Sequence, residues 1–161
     1  MHRRVDQFRE EKKELLDRLK RDALESQTLL RESAAKKYDL ELAKDGLVIL
    51  KACYGRLDLM DASTEIITEA SPDPDFLNYE VVEASNGILD VTIPLQNLVT
   101  DSQLKLPPYT KSHFIGFYDP HLGEPKHLRL VYRYGPEKKL HQVTLADSAP
   151  LRIPLRSHLL V

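Results

Sequence analysis

The sequence predicts a mainly β protein: an antiparallel β-sandwich or open barrel, preceded by one long charged α-helix. Residues 1–44 hold 12 Lys or Arg and 10 Asp or Glu residues but no glycine or proline, whereas residues 45–161 hold all six glycines and all ten prolines. In the second segment, short runs that are apolar throughout, or in which apolar and polar residues alternate, recur between turn residues. We therefore predict two domains, a helical linker or coiled-coil segment over 1–44 and a β-sandwich over 45–161.

The N-terminal segment consists of strong helix formers, and Gly46 supplies a residue suited to end the helix. A helix over about 4–43 is roughly 60 Å long, longer than the domain behind it. Its apolar row is thin, so we expect the helix to contribute little to the core of the β-domain. It can lie in solvent with one end packed on its domain, form a coiled coil with a second chain or another segment, or lie on a membrane surface. The last is least favoured because acids sit among the bases. We expect residues 1–30 to be dispensable for folding of the β-domain but required for assembly.

The apolar row offers candidate partner contacts for helix-mediated self-association or hetero-association. Coiled-coil partners pack against apolar side chains that recur every seven residues or nearly so. The candidates on the helix are Leu16, Leu19 and Leu30.

The strands are predicted from apolar runs and turn residues. Gly46–Tyr54 is apolar on both faces, which is typical of a central strand, and its Cys53 is expected to be buried and inert. Tyr79–Ala84 and Ile88–Ile93 flank an Asn-Gly pair, which predicts a β-hairpin. No helix is expected between the strands. The remaining predicted strands are Gln96–Val99, Gln103–Leu106, His127–Tyr134, Lys139–Ala146 and the edge strand Leu151–Pro154.

Composition excludes several classes of function. The net charge of −2 argues against a nucleic-acid partner, and no run approaches the ~18 apolar residues of a transmembrane segment. One cysteine rules out an internal disulfide and a multi-cysteine zinc cluster. No phosphate-binding loop, Ser-His-Asp pattern or compact metal motif is present, so we predict a protein that is not an enzyme and has no cofactor, metal or catalytic residue. The N-terminal residues do not resemble a targeting peptide.

The loop Gly116–Glu124 has the most unusual local sequence. Phe117, Tyr118, Asp119 and Pro120 stand together, and Asp-Pro is typical of a turn. One interpretation is structural, with the two aromatic rings filling the open end of the sandwich. The other is a partner-binding loop, because exposed aromatic residues often anchor protein interfaces. These four residues are therefore candidate partner contacts.

Four blocks of the chain resemble a known family. They are Gly46–Leu57, Leu89–Pro107, Gly116–Glu124 and Leu128–His158, and they resemble the C-terminal domain of the mitochondrial DnaJ-homolog subfamily C member eleven proteins. The resemblance implies a J-protein of mitochondrial membranes, linked to cristae organisation and to complexes that bridge the inner and outer membranes. It implies no activity for this domain. The chain has no His-Pro-Asp motif, so stimulation of a chaperone partner is not expected from these residues.

Two functions follow from these observations. The first is a non-catalytic interaction module that tethers a J-protein to a mitochondrial membrane assembly. The second is a chaperone-type module that binds an apolar ligand or an unfolded segment. A filled core with an exposed apolar patch favours the first, and a large apolar pocket favours the second.

Overall fold

A computed structural model describes the backbone of residues 2–62 and 66–160, with side chains from residue 4 onward in these ranges. Short 3₁₀ turns lie at Phe76–Asn78, Lys111–His113 and Arg156–His158. The helices and strands, in chain order, are α1 (His2–Ala43), β1 (Val48–Gly55), α2 (Leu57–Asp61), β2 (Ile88–Asp90), α3 (Thr92–Leu98), β3 (Leu104–Leu106), β4 (His127–Tyr134), β5 (Lys139–Ala146) and β6 (Leu151–Ile153).

Two antiparallel sheets share one core. The larger sheet has the strand order β2-β1-β4-β5, and the smaller pairs β3 with β6. Ile49 and Leu130 of the larger sheet are completely buried, and they belong to the same apolar cluster as Leu104 and Ile153 of the smaller one. The predicted fold class is confirmed: one long helix precedes an antiparallel β structure, which stays open and does not close into a barrel.

Helix α1 has two different halves. Residues 4–15 are exposed along their whole length. In the second half, small or polar side chains are buried against the β-domain, among them Ala23, Gln27, Ala34 and Glu41, together with Tyr38. The expectation that the helix contributes little to the core is therefore wrong. Ala23 lies in the apolar row of the sequence, seven residues from Leu16, but Gln27 and Glu41 are polar. The small or hydrogen-bonded side chains of this half let the helix approach the β-domain closely.

The expected absence of helices between the strands is also wrong, because α3 follows β2 directly. The predicted strand Ile88–Ile93 ends at Asp90, and the predicted strand at Gln96–Val99 lies largely within α3. Tyr79–Ala84, the other arm of the predicted hairpin, forms no strand. The Asn-Gly turn itself is present, since Ser85 and Ile88 on either side of it form a bridge.

Helix α3 takes the place of a strand beside β1 where β2 ends. Pro94 stands in the first turn of α3, a position in which a helix tolerates proline. The side chains of α3 replace the missing strand: Thr92 Oγ1 accepts the N–H of Ala52 at 2.9 Å, and Gln96 Oε1 accepts the N–H of Ile49 at 2.7 Å. Strand β1 therefore keeps its hydrogen bonds without a strand beside its first half.

The predicted strands around β1, β3, β4, β5 and β6 are confirmed. Cys53 is placed differently from the expectation, because it is half-buried and not part of the core. Successive side chains of a strand point to opposite faces. Ala52 and Tyr54 point into the core, so Cys53 lies with Lys51 on the outer face of the sheet.

Candidate functional site

An open groove lies between α1 and the segment 112–122, where the exposed half of the helix meets the β-domain. Its volume is about 560 Å³. The helix and the loop supply one wall each, and the floor is apolar. The lining residues are Leu16, Asp17, Leu19, Lys20, Ser112, His113, Phe117, Tyr118, Asp119, Pro120 and Leu122.

The helical wall combines apolar and charged side chains. Leu16 is half-buried in the groove, and Leu19 at the rim is 49% exposed. The Lys20 ammonium lies 3.0 Å from a carboxylate oxygen of Glu83, across from the helix. That hydrogen bond raises the pKa of Lys20, so its charge is held by a fixed partner at the edge of the groove.

The loop wall is organised by Asp119. One of its carboxylate oxygens accepts the N–H of His121 at 2.9 Å, and the other accepts a hydrogen bond from the Lys126 ammonium at 2.9 Å. Such an aspartate fixes the turn that follows it. The turn presents Pro120 half-buried and Leu122 49% exposed, so an ordered loop carries apolar groups into the groove.

The two aromatic residues of the loop are mostly buried. The ring of Phe117 packs edge-on against Tyr54, with centroids 5.4 Å apart. The Tyr118 hydroxyl oxygen accepts the N–H of Ala84 at 2.7 Å, and burial raises the pKa of this tyrosine. Both rings therefore fill the end of the core, as the structural interpretation expects, while their edges line the groove.

One residue of α1 fixes the helix to the loop. Gln27 is buried, and its Nε2 donates to the carbonyl oxygens of Gly116 at 2.8 Å and Asp90 at 3.0 Å. Gly116 has φ +86°, and a Cβ there would meet Pro94 at 3.1 Å. The start of the loop is thus held in a backbone conformation that favours glycine, at a distance set by the helix.

A buried hydrogen-bond network supports the turn at Lys111–His113, which leads into the groove. Asp147 accepts hydrogen bonds from the Tyr54 hydroxyl and the Thr110 hydroxyl, each at 2.7 Å. Lys111 is completely buried, and its ammonium donates to the carbonyl oxygens of Asp147 and, at 2.9 Å, Ala149. Burial lowers the pKa of Lys111. Burial alone would raise the pKa of Asp147, but the hydrogen bonds from Lys111, Thr110 and Tyr54 outweigh it and lower the pKa.

The structure brings most of the candidate residues together. Leu16 and Leu19 face Phe117–Pro120 across the groove, although helix and loop are about 100 residues apart in the chain. Leu30 is not part of this site, because it packs against the cluster around Tyr38 and Phe76.

Five residues that line the groove were not predicted: Asp17, Lys20, Ser112, His113 and Leu122. Gln27, which fixes the helix to the loop, was not predicted either. Leu122 lies within the loop Gly116–Glu124, and an apolar residue in a predicted turn could have indicated a partner contact. Lys20 and Gln27 carry no such signal, because their partners Glu83 and Gly116 are distant in sequence.

A second cleft of about 260 Å³ lies on the outer face of the larger sheet, beside α2. Its charges are compensated: Lys51 pairs with Asp90 at 2.8 Å, and Arg129 pairs with Asp61 at 2.6 Å. Cys53 lines this cleft. Within residues 2–62 and 66–160, no three His, Cys, Asp or Glu side chains are placed to share a metal ion. In the same ranges, no helix combines the length and the apolar character needed to cross a bilayer.

The fold and the groove define an open antiparallel β-domain that is preceded by a long helix. The family model for the C-terminal domain of DnaJ-like protein C11 matches residues 7–154, and the chain belongs to this family. The match begins within α1, so the helix and the β-domain are matched as one unit.

Several proteins of known sequence are similar to the chain. The DnaJ homolog subfamily C member 11 homolog of Dictyostelium discoideum is 38% identical over 143 residues, 88% of this chain and 22% of the relative. The DnaJ homolog subfamily C member 11 of Mus musculus is 37% identical over 139 residues, 86% of this chain and 21% of the relative. The chain thus spans about a fifth of the length of these relatives. No solved structure matches the chain.

Proposed function

We propose that this chain is a non-catalytic interaction module that tethers a mitochondrial, membrane-associated J-protein to the complexes that organise cristae and bridge the inner and outer membranes. The observation that carries the proposal is the groove between α1 and the 116–124 loop. Family membership supports the J-protein context. The mitochondrial setting and the membrane-organising partners rest on the family resemblance.

The groove has the chemistry of a protein-binding surface. Leu19 and Leu122 are each 49% exposed at its rim, and the edges of two buried aromatic rings form the floor. Interfaces commonly combine such an apolar centre with a polar rim. Here the rim includes the Lys20–Glu83 and Lys126–Asp119 ion pairs. We infer a partner segment that inserts an apolar side chain between helix and loop.

The absence of a catalytic role is supported by how the polar groups of the site are used. Asp119 is bound to Lys126 and to the His121 backbone, and Tyr118 is bound to the Ala84 N–H. These bonds hold the loop in shape. General acid–base or nucleophilic chemistry needs a group within hydrogen-bond reach of a reacting atom. We therefore assign Asp119 and Tyr118 to positioning.

Co-purification from intact mitochondria tests this function. Leu122→Asp places a charge at the rim of the groove, and we expect it to reduce recovery of membrane-organising complexes about tenfold or more, in keeping with the loss of an interface anchor. Ile115→Asp is the matched control, because Ile115 is 70% exposed in the same segment and does not line the groove. Equal recovery with both variants would exclude the groove as the binding surface.

The chaperone-type alternative gains less support. The core between the sheets is filled by buried side chains, including Leu89, Leu95, Leu128 and Ile153. An apolar ligand would therefore have to bind in the open groove and not between the sheets. Saturable binding of an unfolded model substrate that Leu122→Asp abolishes and Ile115→Asp leaves unchanged would favour this alternative over the tether.

A further inference from the structure

The exposed half of α1 carries an apolar stripe that no part of the described β-domain covers. Phe8 is 67% exposed, and Val5, Leu15 and Leu19 are each 49% exposed. With Lys12, these residues are spaced by three and four positions, which is the a/d pattern of a coiled-coil heptad. We call Val5, Phe8, Lys12, Leu15 and Leu19 the seam.

We propose that a second copy of this chain covers the seam as an antiparallel helix pair. In this pairing Phe8 of one chain faces Leu19 of the second copy, and Lys12 faces Leu15. The lysine stem covers apolar surface while its ammonium reaches the solvent. An amphipathic helix that protrudes from its domain is stabilised chiefly by such packing.

The charges beside the seam argue for a second copy as the occupant. Arg4, Glu11, Arg18 and Glu25 recur every seven residues, all exposed and alternating in sign. In the antiparallel pair Glu11 lies opposite Arg18 of the second copy, and Arg4 lies opposite Glu25. The two-fold symmetry repeats each contact, so all four pairs are attractive.

Other alignments of the same two helices bring like charges together. A parallel pair stacks Lys12 on Lys12 in the seam and places Arg4 beside Arg9 of the second copy. Sliding the antiparallel pair by one heptad places Arg18 opposite Arg4 in one direction and opposite Arg18 in the other. Like-charge contacts of this kind disfavour wrong pairings. The charge pattern therefore selects one orientation and one register.

The helix pair leaves the groove available. Leu16 and Lys20 face the loop, on the side of α1 next to the seam, and only Leu19 belongs to both surfaces. The antiparallel arrangement places the two β-domains at opposite ends of the pair. The inference goes beyond the proposed function and does not depend on it, because dimerisation and capture of a partner share Leu19 alone.

Sedimentation equilibrium of the whole chain over a range of concentrations tests the proposal. We expect a monomer–dimer equilibrium. Glu11→Arg and Arg18→Glu should each weaken association about tenfold, because each reverses two symmetric pairs worth up to about 1 kcal/mol apiece. The double variant E11R/R18E restores opposite charges in the antiparallel register alone, so it should recover most of the affinity. Glu10→Arg is the matched control on the far side of the helix and should leave association unchanged.

Three results would overturn the proposal. The first is a monomer at all concentrations up to about 100 μM, a weak affinity for a pair of this size. The second is a dimer that the seam variant Phe8→Asp does not affect. The third is loss of association in both single variants without rescue in the double variant. Far-UV circular dichroism of each variant identifies any loss of helix. Normal dimerisation of Leu122→Asp together with its lost partner binding would separate this surface from the groove.

Discussion

The Nε2 atom of Gln27 lies 2.8 Å from the carbonyl oxygen of Gly116, which joins the middle of the long helix to the first residue of the groove loop. The same amide nitrogen donates to Asp90 at the end of β2. This buried side chain thus joins helix, sheet and loop by hydrogen bonds. The width of the groove depends on a residue that does not line it.

Gln27→Leu should destabilise the protein by about 2–4 kcal/mol, because two buried carbonyl oxygens lose their donor. Urea unfolding measures the change. Gln7→Leu is the control, since Gln7 is exposed on the same helix and hydrogen-bonds Glu11 within that helix. Similar free energies of unfolding for the two variants would contradict the role assigned to Gln27.

Thr92→Val keeps the shape of the side chain but removes the acceptor of the Ala52 N–H. A buried N–H without a partner costs about 1–3 kcal/mol, so we expect a loss of that size in the free energy of unfolding. Thr100→Val, at an exposed position, should stay within about 0.5 kcal/mol of the parent protein. A neutral Thr92→Val would show that α3 does not serve as the partner of β1.

How well the sequence predicts a helix or strand depends on how far apart in the chain its interacting residues lie. The paired strands β4 and β5 were predictable because alternation and a turn are local signals. Helix α3 was not, because its sequence reads as strand until Pro94, and the compensating bonds from Thr92 and Gln96 reach residues 40 and 47 positions away. Tertiary contacts, and not the local strand preference of the sequence, determine that this segment is a helix.

The site was predictable in its residues and not in its geometry. The unusual sequence motif Phe117–Pro120 and the apolar row of α1 each predicted a partner contact. That Leu16 and Leu19 face this loop depends on Gln27 and on the buried alanines of the second half of the helix. Ala23 belongs to the apolar row of the sequence, whereas the buried Gln27 has no signal in the local sequence.

Truncation separates the two halves of α1. Removal of residues 1–15 should leave the thermal melt nearly unchanged, because residues 4–15 are exposed. Removal of residues 1–35 should abolish cooperative unfolding, because it deletes Ala23, Gln27 and Ala34 from the core. This prediction replaces the expectation that residues 1–30 are dispensable for folding. An intact melt without residues 1–35 would restore the original expectation.

The C-terminal turn should make stability depend on pH. Burial and the nearby His141 lower the pKa of His158 below its usual value of 6.5, and its Nδ1 lies 2.8 Å from the Tyr132 hydroxyl. The unfolded chain therefore takes up the proton more readily, so stability is complete above pH 6.5 and falls as the pH drops through the pKa of the folded protein. His158→Gln should flatten this part of the profile in urea unfolding at several pH values. An unchanged profile in His158→Gln would contradict this assignment.

Photocrosslinking in intact mitochondria tests the central claim, that the groove binds a protein partner, most directly. A photoreactive residue at position 122 should crosslink to the same membrane-organising protein as one at position 16, since both positions line the groove. A photoreactive residue at position 115, which is exposed outside the groove, should not crosslink to it. Equal crosslinking from all three positions, or none from positions 16 and 122, would contradict the account.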